Sequence, residues 1–466
     1  MTGATLRPNQ ADLPSARSTR SYWHCEPSAA LLGHRTTAAL PPTADVVVIG
    51  TGITGAFAVR ELMETGGTTK VLVLEAREVC WGATGRNGGH CQPVTYSPNH
   101  AIADFELRNY GHLRDFIAEN SVPCDWVPLR GCHALFTPDL VAAAEAHIAA
   151  LPAHLAGGVR LVTDAESLRG LRVPDAVGAV VQETAASVWP YKLVAWIFED
   201  LLRRFGEDGG RLNLQTNTPV TRLQRLEAED AKWIVHTDRG QVAAKQVLLA
   251  SNAYTSRLLP AFSDLIVPVR GQVATLRPEP RTELGRSYVF MASSDGEEPN
   301  RDDYLIQRPG PGLEMILGGG RAQGAGRGVG VSDDDEVDAV VATYLRRAGA
   351  RNVDLGGRGQ AGDTELEATY EWTGIMGFSR DGRPWVGAVP EGDAFGGGEG
   401  LWVCAGYTGH GMPQAALCGR AVAGMMAGGD DAVELPAGFL VSEGRAEEAR
   451  GLPGIKEMDD ADMFLL

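Results

Sequence analysis

No stretch of this 466-residue chain approaches the roughly 20 consecutive apolar residues that a membrane-spanning helix requires. The seven cysteines are odd in number and contain no Cys-x-x-Cys pair, which argues against a disulfide framework and against a zinc site. With a formal net charge of −17, the chain also lacks the basic excess that would attract nucleic acid or an anionic membrane. We therefore expect reduced thiols, no metal, no nucleic-acid or membrane partner, and a cytoplasmic location.

Lysine is scarce as well, because 37 of the 42 basic residues are arginine and no lysine lies between Lys245 and Lys456. The remaining composition is that of a folded globular protein, with 44% apolar and 22% charged residues. The length corresponds to two or three domains. Nothing in the composition determines the oligomeric state.

Residues 45–75 follow the order strand, glycine-rich turn, helix, strand. In the turn, Gly50 permits a tight bend, Gly52 lets the backbone approach a pyrophosphate, and Gly55 lets helix and strand pack closely. The start of the helix offers free N–H groups to phosphate, and Glu75 ends the second strand, where it can accept hydrogen bonds from ribose hydroxyls. This context predicts a dinucleotide site and leaves open whether the ligand is FAD or NAD(P).

A second glycine-rich segment follows shortly after, with the sequence Trp81-Gly82-Ala83-Thr84-Gly85-Arg86-Asn87-Gly88-Gly89-His90. Its backbone amides can lie along a phosphate or a ring edge, and Arg86 brings a positive charge toward an anion. Together with the first turn and Glu75-Ala76-Arg77, this segment resembles the FAD-binding signature of the D-amino-acid-oxidase-like family of FAD-dependent oxidoreductases, in particular its gamma-glutamylputrescine oxidase-like branch. A single nicotinamide-binding unit would not account for the second segment.

The resemblance covers the chain from about residue 44 to 428. The other matching segments are Asn252-Ala253, Arg270-Gly271-Gln272, residues 372–387 and residues 401–412. It implies an α/β fold with an FAD/NAD(P)-binding Rossmann-like domain of the glutathione-reductase-like type, and a second, smaller α+β substrate domain that contains an antiparallel sheet. The alternating strand patterns between residues 265 and 364 suit such a sheet.

The expected organisation is an N-terminal arm at 1–43, an FAD-binding domain built from 44–98, 181–262 and 369–440, a substrate domain built from 99–180 and 263–368, and an acidic C-terminal tail at 441–466. The arm has an aromatic patch at Ser21-Tyr22-Trp23-His24, which we expect to dock on the body of the protein. Helices are expected at about 105–119 and 139–150. A third should reach Arg346, with the acidic run Asp333-Asp334-Asp335-Glu336 as its first turn. The tail is expected to be peripheral.

The resemblance implies FAD as the cofactor. Sarcosine-oxidase-like members tether their flavin through a cysteine in the segment that aligns with Thr373 to Ser379, and this chain has none there. The attachment is therefore expected to be noncovalent. The residues expected to contact FAD are Gly50, Gly52, Ile53, Thr54, Gly55, Glu75, Ala76, Arg77, Gly82, Ala83, Thr84, Arg86, Asn87, Gly88, Gly89, His90, Val220, Asn252, Ala253, Gly374, Asp381, Gly409, His410, Gly411 and Met412.

The turn at Gly409 to Met412 also has a physical interpretation of its own. Pro413 suits the first position of a helix, and the Ala-rich segment 414–426 continues it. The N-terminus of that helix carries partial positive charge. Such charge would stabilise the negative charge that reduction places around N1 and the C2 carbonyl of a flavin.

For the reaction, the resemblance implies hydride transfer from a small amine or amino acid to flavin N5, which oxidises a C–N bond and gives an imine. The residues expected on the catalytic side are His90, Arg308, Arg321, Tyr304 and His410. Either histidine could be a hydrogen-bond partner of the ring, and either arginine could bind a substrate carboxylate. Relatives that activate oxygen use a lysine above the flavin, so the long lysine-free stretch leaves the acceptor open between oxygen and another molecule. An NAD(P)-dependent dehydrogenase, or a flavin-binding protein without turnover, remains the alternative.

Overall fold

The computed structural model describes residues 6–206, 210–293, 300–356, 364–392, 394–429 and 433–457. Residues 1–5 of the expected arm and 458–466 of the expected tail lie outside the described residues. Over the ranges given above, no helix combines the length and the apolarity that a membrane crossing needs.

The secondary structure alternates between strands and helices along most of the chain. In the described ranges the strands are β1 (Thr43–Ile49), β2 (Val71–Leu74), β3 (His90–Cys91), β4 (Val127–Leu135), β5 (Val159–Val162), β6 (Gly178–Ser187), β7 (Leu212–Gln215), β8 (Val220–Arg225), β9 (Trp233–Thr237), β10 (Gly240–Leu249), β11 (Ile266–Leu276), β12 (Arg286–Ala292), β13 (Arg301–Gln307), β14 (Met315–Gly319), β15 (Ala368–Ser379), β16 (Trp385–Ala388) and β17 (Leu401–Ala405). The α-helices are α1 (Ile53–Thr65), α2 (His100–Glu119), α3 (Pro138–Ala149), α4 (Ala153–Ala156), α5 (Ala165–Gly170), α6 (Pro190–Phe205), α7 (Thr255–Leu258), α8 (Ala339–Arg351), α9 (Ala415–Met426) and α10 (Glu443–Gly451).

The first sheet contains the strand-turn-helix-strand unit that the glycine-rich turn predicts. Its strands lie in the order β16-β17-β10-β1-β2-β7, and β9 joins β8 to β10. β1 runs parallel to both β10 and β2, and its segment Val46 to Ile49 is buried on both faces, as is typical of a central parallel strand. Helices α1, α6 and α9 pack on one face, and a Cβ at Gly419 would lie only 2.4 Å from the carbonyl oxygen of Thr54. The absence of a side chain there lets α1 and α9 approach each other closely.

The second sheet has the order β15-β11-β14-β13-β12-β4-β6-β3, with β5 paired to β6. Its neighbours are antiparallel except for the parallel pair of β12 and β4. Helix α8 packs against it through Val341, Leu345 and Ala348. The predicted α/β fold with a largely antiparallel second sheet is confirmed.

The division of the chain into domains stays a prediction. Two strands, β6 and β15, pair with the second sheet although part or all of each was expected in the FAD-binding domain. β6 crosses the expected boundary between residues 180 and 181, and it pairs along its length with β4 and β5 of the second sheet. β15 opens the last stretch expected for the FAD-binding domain, yet it pairs with β11 of the second sheet. As a result, residues 374–378 reach the cavity described below from the second sheet.

The acidic run at 333–336 is not the first turn of a helix, contrary to the prediction. Helix α8 begins at Ala339, and Asp338 caps it by accepting hydrogen bonds from two backbone N–H groups. Asp334 is instead fully buried, and Nη1 of Arg77 donates to both of its carboxylate oxygens at 2.9 Å. Because Asp338 already satisfies the helix start, the preceding run is free to supply a buried counter-charge.

The C-terminal tail is not peripheral, which corrects a second prediction. Helix α10 covers the first sheet, where Ala446 and Ala449 belong to its core. The buried guanidinium of Arg445 donates to the two carboxylate oxygens of Asp381 at 2.8 and 3.0 Å and lies 3.8 Å from the ring centre of Trp385. The charged composition hides this packing because small residues make up the buried face of the helix.

The N-terminal arm docks on the body through its aromatic patch, as predicted. Trp23 is fully buried, its indole Nε1 donates to the carbonyl oxygen of Asn87 at 2.7 Å, and its ring meets Trp189 edge-on at 5.8 Å. Ser21 Oγ donates to the carbonyl oxygen of Gly85 at 2.8 Å. The arm therefore helps to hold the second glycine-rich segment in place.

Candidate active site

A cavity of about 350 Å³ lies at the carboxyl ends of β1 and β2 and is bordered by residues of both sheets. Ligands of open α/β sheets bind outside the carboxyl ends of the strands, and the volume lies within the range of small-molecule sites. The cavity extends from the first glycine-rich turn, along residues 82–90, to Tyr304 and Arg321 of the second sheet. The dinucleotide turn and the charged residues of the second sheet therefore line one continuous cavity.

The three glycines of the first turn have different surroundings, as their predicted roles require. Gly50 has a φ of +111°, and a Cβ there would lie 2.6 Å from the carbonyl oxygen of Ala250. At Gly55 a Cβ would lie 2.2 Å from the carbonyl oxygen of Gly50. A Cβ at Gly52 would meet, within 4 Å, only Thr84 Oγ1 at 3.2 Å. Gly52 thus leaves open space at the start of α1, where a phosphate can approach the backbone.

The carboxylate of Glu75 lies at the cavity edge and is held by the protein. Thr51 donates to Oε2 from its backbone N at 3.0 Å and from its hydroxyl at 2.6 Å, and Arg77 N donates to Oε1 at 2.9 Å. A carboxylate has about four acceptor positions. These bonds therefore orient the group and leave it capacity for a ribose hydroxyl, a role that stays a prediction.

Arg86 is buried at the cavity wall and has several protein partners. Its Nε donates to the carbonyl oxygen of Thr373 at 2.6 Å, and its Nη2 donates to the hydroxyl of Thr19 at 2.7 Å. Burial lowers the pKa of Arg86 to about 10, although Asp334, 3.2 Å away, opposes the shift. The guanidinium therefore stays charged at neutral pH and ties the arm, the acidic run and β15 together.

His90 and Tyr304 face each other in the cavity, with ring centres 5.2 Å apart. Burial lowers the pKa of His90 to about 4, and the nearby His410 adds to this effect. Burial also raises the pKa of Tyr304 well above its usual value. At neutral pH both side chains are uncharged, so they are suited to hydrogen bonding rather than to carrying charge.

The turn at Gly409 to Met412 brings a second histidine to the cavity. Helix α9 begins at Ala415, with Gln414 at the N-cap position, two residues later than predicted. His410 Nε2 lies 3.1 Å from Oε1 of Glu106, whose side chain is only 2% exposed. Burial alone would lower the pKa of His410, but the carboxylate of Glu106 outweighs it and raises the pKa.

The two arginines predicted to bind a substrate carboxylate differ in their surroundings. Arg321 lines the cavity, and its Nη2 and Nε donate to Oδ2 of Asp302 at 2.7 and 2.9 Å. Arg308 does not line it. Its guanidinium lies 5.1 Å from the ring centres of both Trp23 and Trp189, and it contacts Asp125. The docked arm and Trp189 bury Arg308 between two indole rings, and its role in substrate binding stays a prediction.

Most residues predicted to contact the cofactor border this cavity. They are Gly50, Gly52, Ile53, Thr54, Glu75, Ala76, Arg77, Gly82, Ala83, Thr84, Arg86, Asn87, Gly88, His90, Val220, Asn252, Ala253, Gly374, Gly409, His410, Gly411 and Met412. Gly55, Gly89 and Asp381 do not. Gly55 packs on the first turn, a Cβ at Gly89 would lie 2.3 Å from the Trp23 ring, and Asp381 is held by Arg445. These three positions therefore have protein contacts of their own, and their contact with the cofactor stays a prediction.

Other cavity residues were not predicted. They include Leu13, Pro14, Thr51, Gln92, Glu106, Tyr254, Arg301 and Asp302. Glu106 could have been found from the sequence, because it and Asn109 are polar residues within the mainly apolar buried face of α2. No sequence pattern indicates that Leu13 and Pro14 line the cavity, because their position depends on how the arm folds back.

A mixed sheet with a parallel centre and a glycine-rich turn, joined to a second sheet across one shared cavity, is the arrangement typical of a dinucleotide-dependent oxidoreductase. Residues 45–425 match the family DAO, described as FAD dependent oxidoreductase. The chain belongs to this family of FAD-dependent oxidoreductases, as the two glycine-rich segments indicate. The match sets aside the alternative of an NAD(P)-dependent dehydrogenase.

Similar proteins support the assignment over most of the chain. Gamma-glutamylputrescine oxidoreductase of Escherichia coli (strain K12) is 27% identical over 413 residues, which cover 83% of this chain and 84% of that protein. The fold is similar to that of glycine oxidase from Geobacillus kaustophilus, with a TM-score of 0.68, 21% identity and coverage of 86% and 99% of the two chains. L-proline dehydrogenase from P. horikoshii has a TM-score of 0.64, 18% identity and coverage of 89% and 100%.

The residues present fit FAD, which is the cofactor of this family. The first turn offers an open approach at Gly52 beside the N-terminus of α1, and a second helix start, that of α9, borders the same cavity through Gln414 and Ala415. Two separate positive helix ends suit a ligand that carries a pyrophosphate at one end and gains negative charge at the other.

Proposed function

We propose that this protein oxidises a C–N bond of a small amine or amino acid, with FAD as the electron acceptor, and releases an imine. The observation that carries the proposal is the single cavity in which the dinucleotide turn meets His90, Tyr304 and the charged groups of the second sheet. The relatives named above act, by their names, on gamma-glutamylputrescine, glycine and L-proline, all of which contain an amine nitrogen.

When bound, FAD accepts the two electrons that the substrate loses. The protein's own groups bind and orient the substrate. Arg321 and Asp302 offer a cation and an anion side by side, which suits a zwitterion or an amine with a polar end. Val289 and Met291 form an apolar part of the wall. Such a wall excludes water and favours the uncharged form of the amine, from which the electrons must leave.

Three finer points belong to the same proposal. We place the protein in the cytoplasm, because all seven cysteines are unpaired and reduced thiols are typical of that compartment. The electron acceptor that reoxidises FAD is oxygen or another small molecule. We expect noncovalent attachment of FAD, since no cysteine occurs in the segment from Thr373 to Ser379.

The proposal is tested by the absorbance spectrum of the purified protein and by acid precipitation. A yellow protein that releases FAD into the supernatant supports it, and a colourless one that cannot be loaded with FAD contradicts it. Anaerobic mixing with a panel of amines and amino acids should then bleach the flavin absorbance. A protein that holds FAD and is bleached by no member of a broad panel would be a binder without turnover. Rapid reoxidation of the flavin by air indicates that oxygen is the acceptor. Reoxidation only by an added dye indicates that the acceptor is another molecule.

Replacing Arg321 with lysine is expected to lower kcat/KM about tenfold, mainly by raising KM. Lysine keeps the charge but loses the planar, two-pronged donor arrangement, and a tenfold loss corresponds to about 1.4 kcal/mol of binding. Steady-state kinetics with the best substrate of the panel measure the effect. Arg270→Lys is the matched control, because Arg270 pairs with Asp333 and Glu336 and does not line the cavity. Equal kinetics of the two variants would exclude Arg321 from substrate binding.

A further inference from the structure

Helix α2 holds the turn before α9 through two buried polar side chains. Glu106 and Asn109 are 2% and 0% exposed and, being three residues apart, lie on one face of the helix. Asn109 Nδ2 donates to the carbonyl oxygen of Met412 at 3.0 Å, and Leu417 N donates to Asn109 Oδ1 at 2.9 Å. Asn109 thus fixes the backbone on either side of the start of α9.

Glu106 holds the side chains of the same turn. Its Oε1 accepts from Nε2 of Gln414 at 2.7 Å and lies 3.1 Å from Nε2 of His410, while its Oε2 accepts from the backbone N of Val94 at 2.8 Å. A buried carboxylate is costly unless it is hydrogen-bonded and paired with a positive charge. The Val94 and Gln414 donors are neutral, so His410 is the group among these contacts that can supply the charge.

We propose that Glu106 is a positioning residue that holds His410 as an imidazolium at the start of α9, where this cation stabilises the negative charge that FAD gains on reduction. The inference rests on the proposed function. In that reaction the substrate carbon loses a hydride to the cofactor and becomes an iminium carbon, and the cofactor gains one negative charge. A cation placed before the reaction is more effective than solvent, because it does not have to reorient. The partial positive charge at the N-terminus of α9 adds to this stabilisation of the reduced cofactor.

Three further titratable groups lie near His410 and Glu106, and none of them supplies a positive charge to the carboxylate. Burial, with the charge of Glu106 as a further cause, raises the pKa of the Cys91 thiol on β3, so the thiol stays neutral. His90 on β3 and His133 on β4 are both buried, and burial, with the charge of His410 as a further cause, lowers their pKa values to about 4 and about 3. Glu106 raises the pKa of His410 against the effect of burial. The cation is therefore present below that raised pKa and is lost as the pH rises through it.

Glu106→Gln tests the first half of the proposal without FAD. Glutamine is nearly isosteric and has no charge, and its one carbonyl oxygen can still accept from either the Val94 N–H or the Gln414 amide. In histidine-labelled apoprotein, with the His410 signal assigned by its loss in His410→Gln, we expect the NMR titration midpoint of His410 to fall by at least one pH unit. Glu106→Asp should recover part of the shift. Asn109→Ala is the matched control, because it loosens the same turn from the same helix and keeps the carboxylate, so the midpoint should stay near that of the wild type.

The reduction potential of bound FAD tests the second half. We expect Glu106→Gln to lower the potential by about 30 mV, which is a tenfold loss of preference for the reduced form in a two-electron couple. His410→Gln should lower it similarly, and the double variant should add little, because both changes remove the same cation. If Glu106→Gln does not fold, the His410 titration in Glu106→Asp still tests the role of Glu106. The potential of His410→Gln then tests the action of His410 on FAD.

The outcomes separate this proposal from the proposed function. An unmoved His410 midpoint in Glu106→Gln overturns the role of Glu106, whether or not the protein is an enzyme. A shifted midpoint with an unchanged potential overturns the action of the cation on the cofactor. A protein that binds no FAD overturns the proposed function, and the apoprotein titration still reports on Glu106.

Discussion

Replacing Gly52 with valine is expected to yield a folded protein that has lost FAD. Gly52 has φ −69° and ψ −179°, a backbone conformation open to any residue, so the substitution adds no backbone strain and requires only a small shift of the Thr84 side chain. Its Cβ would meet only Thr84 Oγ1 within 4 Å, so the branched side chain would occupy cavity space in front of the first N–H groups of α1. We expect at least a 100-fold loss of FAD affinity, about 2.7 kcal/mol. The ratio of flavin to protein absorbance and titration of the apoprotein with FAD measure it.

Two further glycine variants make the result specific. Gly52→Ala should give an intermediate loss, because a single methyl group fills less of the cavity. Gly111→Ala is the control, since Gly111 lies in α2, a Cβ added there would have no neighbour within 4 Å, and the residue does not line the cavity; this variant should bind FAD normally. Circular dichroism and apoprotein melting establish that each variant is folded. Wild-type FAD content in Gly52→Val would contradict the assignment of the turn.

Removing the charge of Arg445 is expected to cause the largest loss of stability, about 3–5 kcal/mol for Arg445→Ala. The variant leaves Asp381, which is 7% exposed, without its principal cation, and the carbonyl oxygens of Pro384 and Phe439 without the N–H donor they share. The ring of Trp385 also loses its cation. Urea unfolding of the FAD-loaded protein at pH 7 measures the change in the free energy of unfolding.

The pH dependence of that loss follows from Asp381. Burial by itself would raise its pKa, but the bonds from Arg445 outweigh burial and lower the pKa below 3.8. A depressed carboxyl pKa stabilises the folded state above the unfolded value, and the contribution is lost as the pH falls through the folded one. The difference between wild type and Arg445→Ala should therefore be full at pH 7 and narrow below about pH 4.

Arg450→Ala on the same helix is the control for this prediction. Its guanidinium pairs with Asp264, and the two side chains are 29% and 44% exposed. Such partly solvated pairs contribute at most about 1 kcal/mol. If both variants lose the same small amount, the Arg445 and Asp381 pair is not the main attachment of the tail.

The parts of the fold that were predictable are those encoded by neighbours in sequence. The apolar run at 46–49, the glycines that follow it and the acidic residue at 75 lie within one short unit. The dinucleotide site could therefore be predicted from them. Helices α2 and α3 were predicted near their observed bounds because α2 has a regular apolar stripe and α3 is rich in alanine. The second sheet was predicted from alternating strands.

The corrected expectations involve charged residues whose partners are distant in sequence. Asp334 was interpreted as a helix start because local rules favour acidic residues there, but its partner Arg77 is 257 positions away. The surroundings of Arg308, whose role as a substrate ligand stays a prediction, likewise depend on the arm, which is far from it in sequence and places Trp23 beside it. The tail was expected to be peripheral because it is rich in charged residues. Only a few small residues, such as Ala446 and Ala449, form its buried face.

By itself, the sequence determined that this chain binds a dinucleotide, that two glycine-rich segments and a late helix contribute to the site, and that the family is one of FAD-dependent oxidoreductases. These features are short-range, since turn glycines and strand periodicity act over a few residues. Only the tertiary structure decided which charges are paired, because Glu106 meets the turn around residue 410 and Arg86 meets the arm only after the two sheets and the arm have packed. Burial then sets the energetic value of each pair, and burial is a property of the packed chain alone.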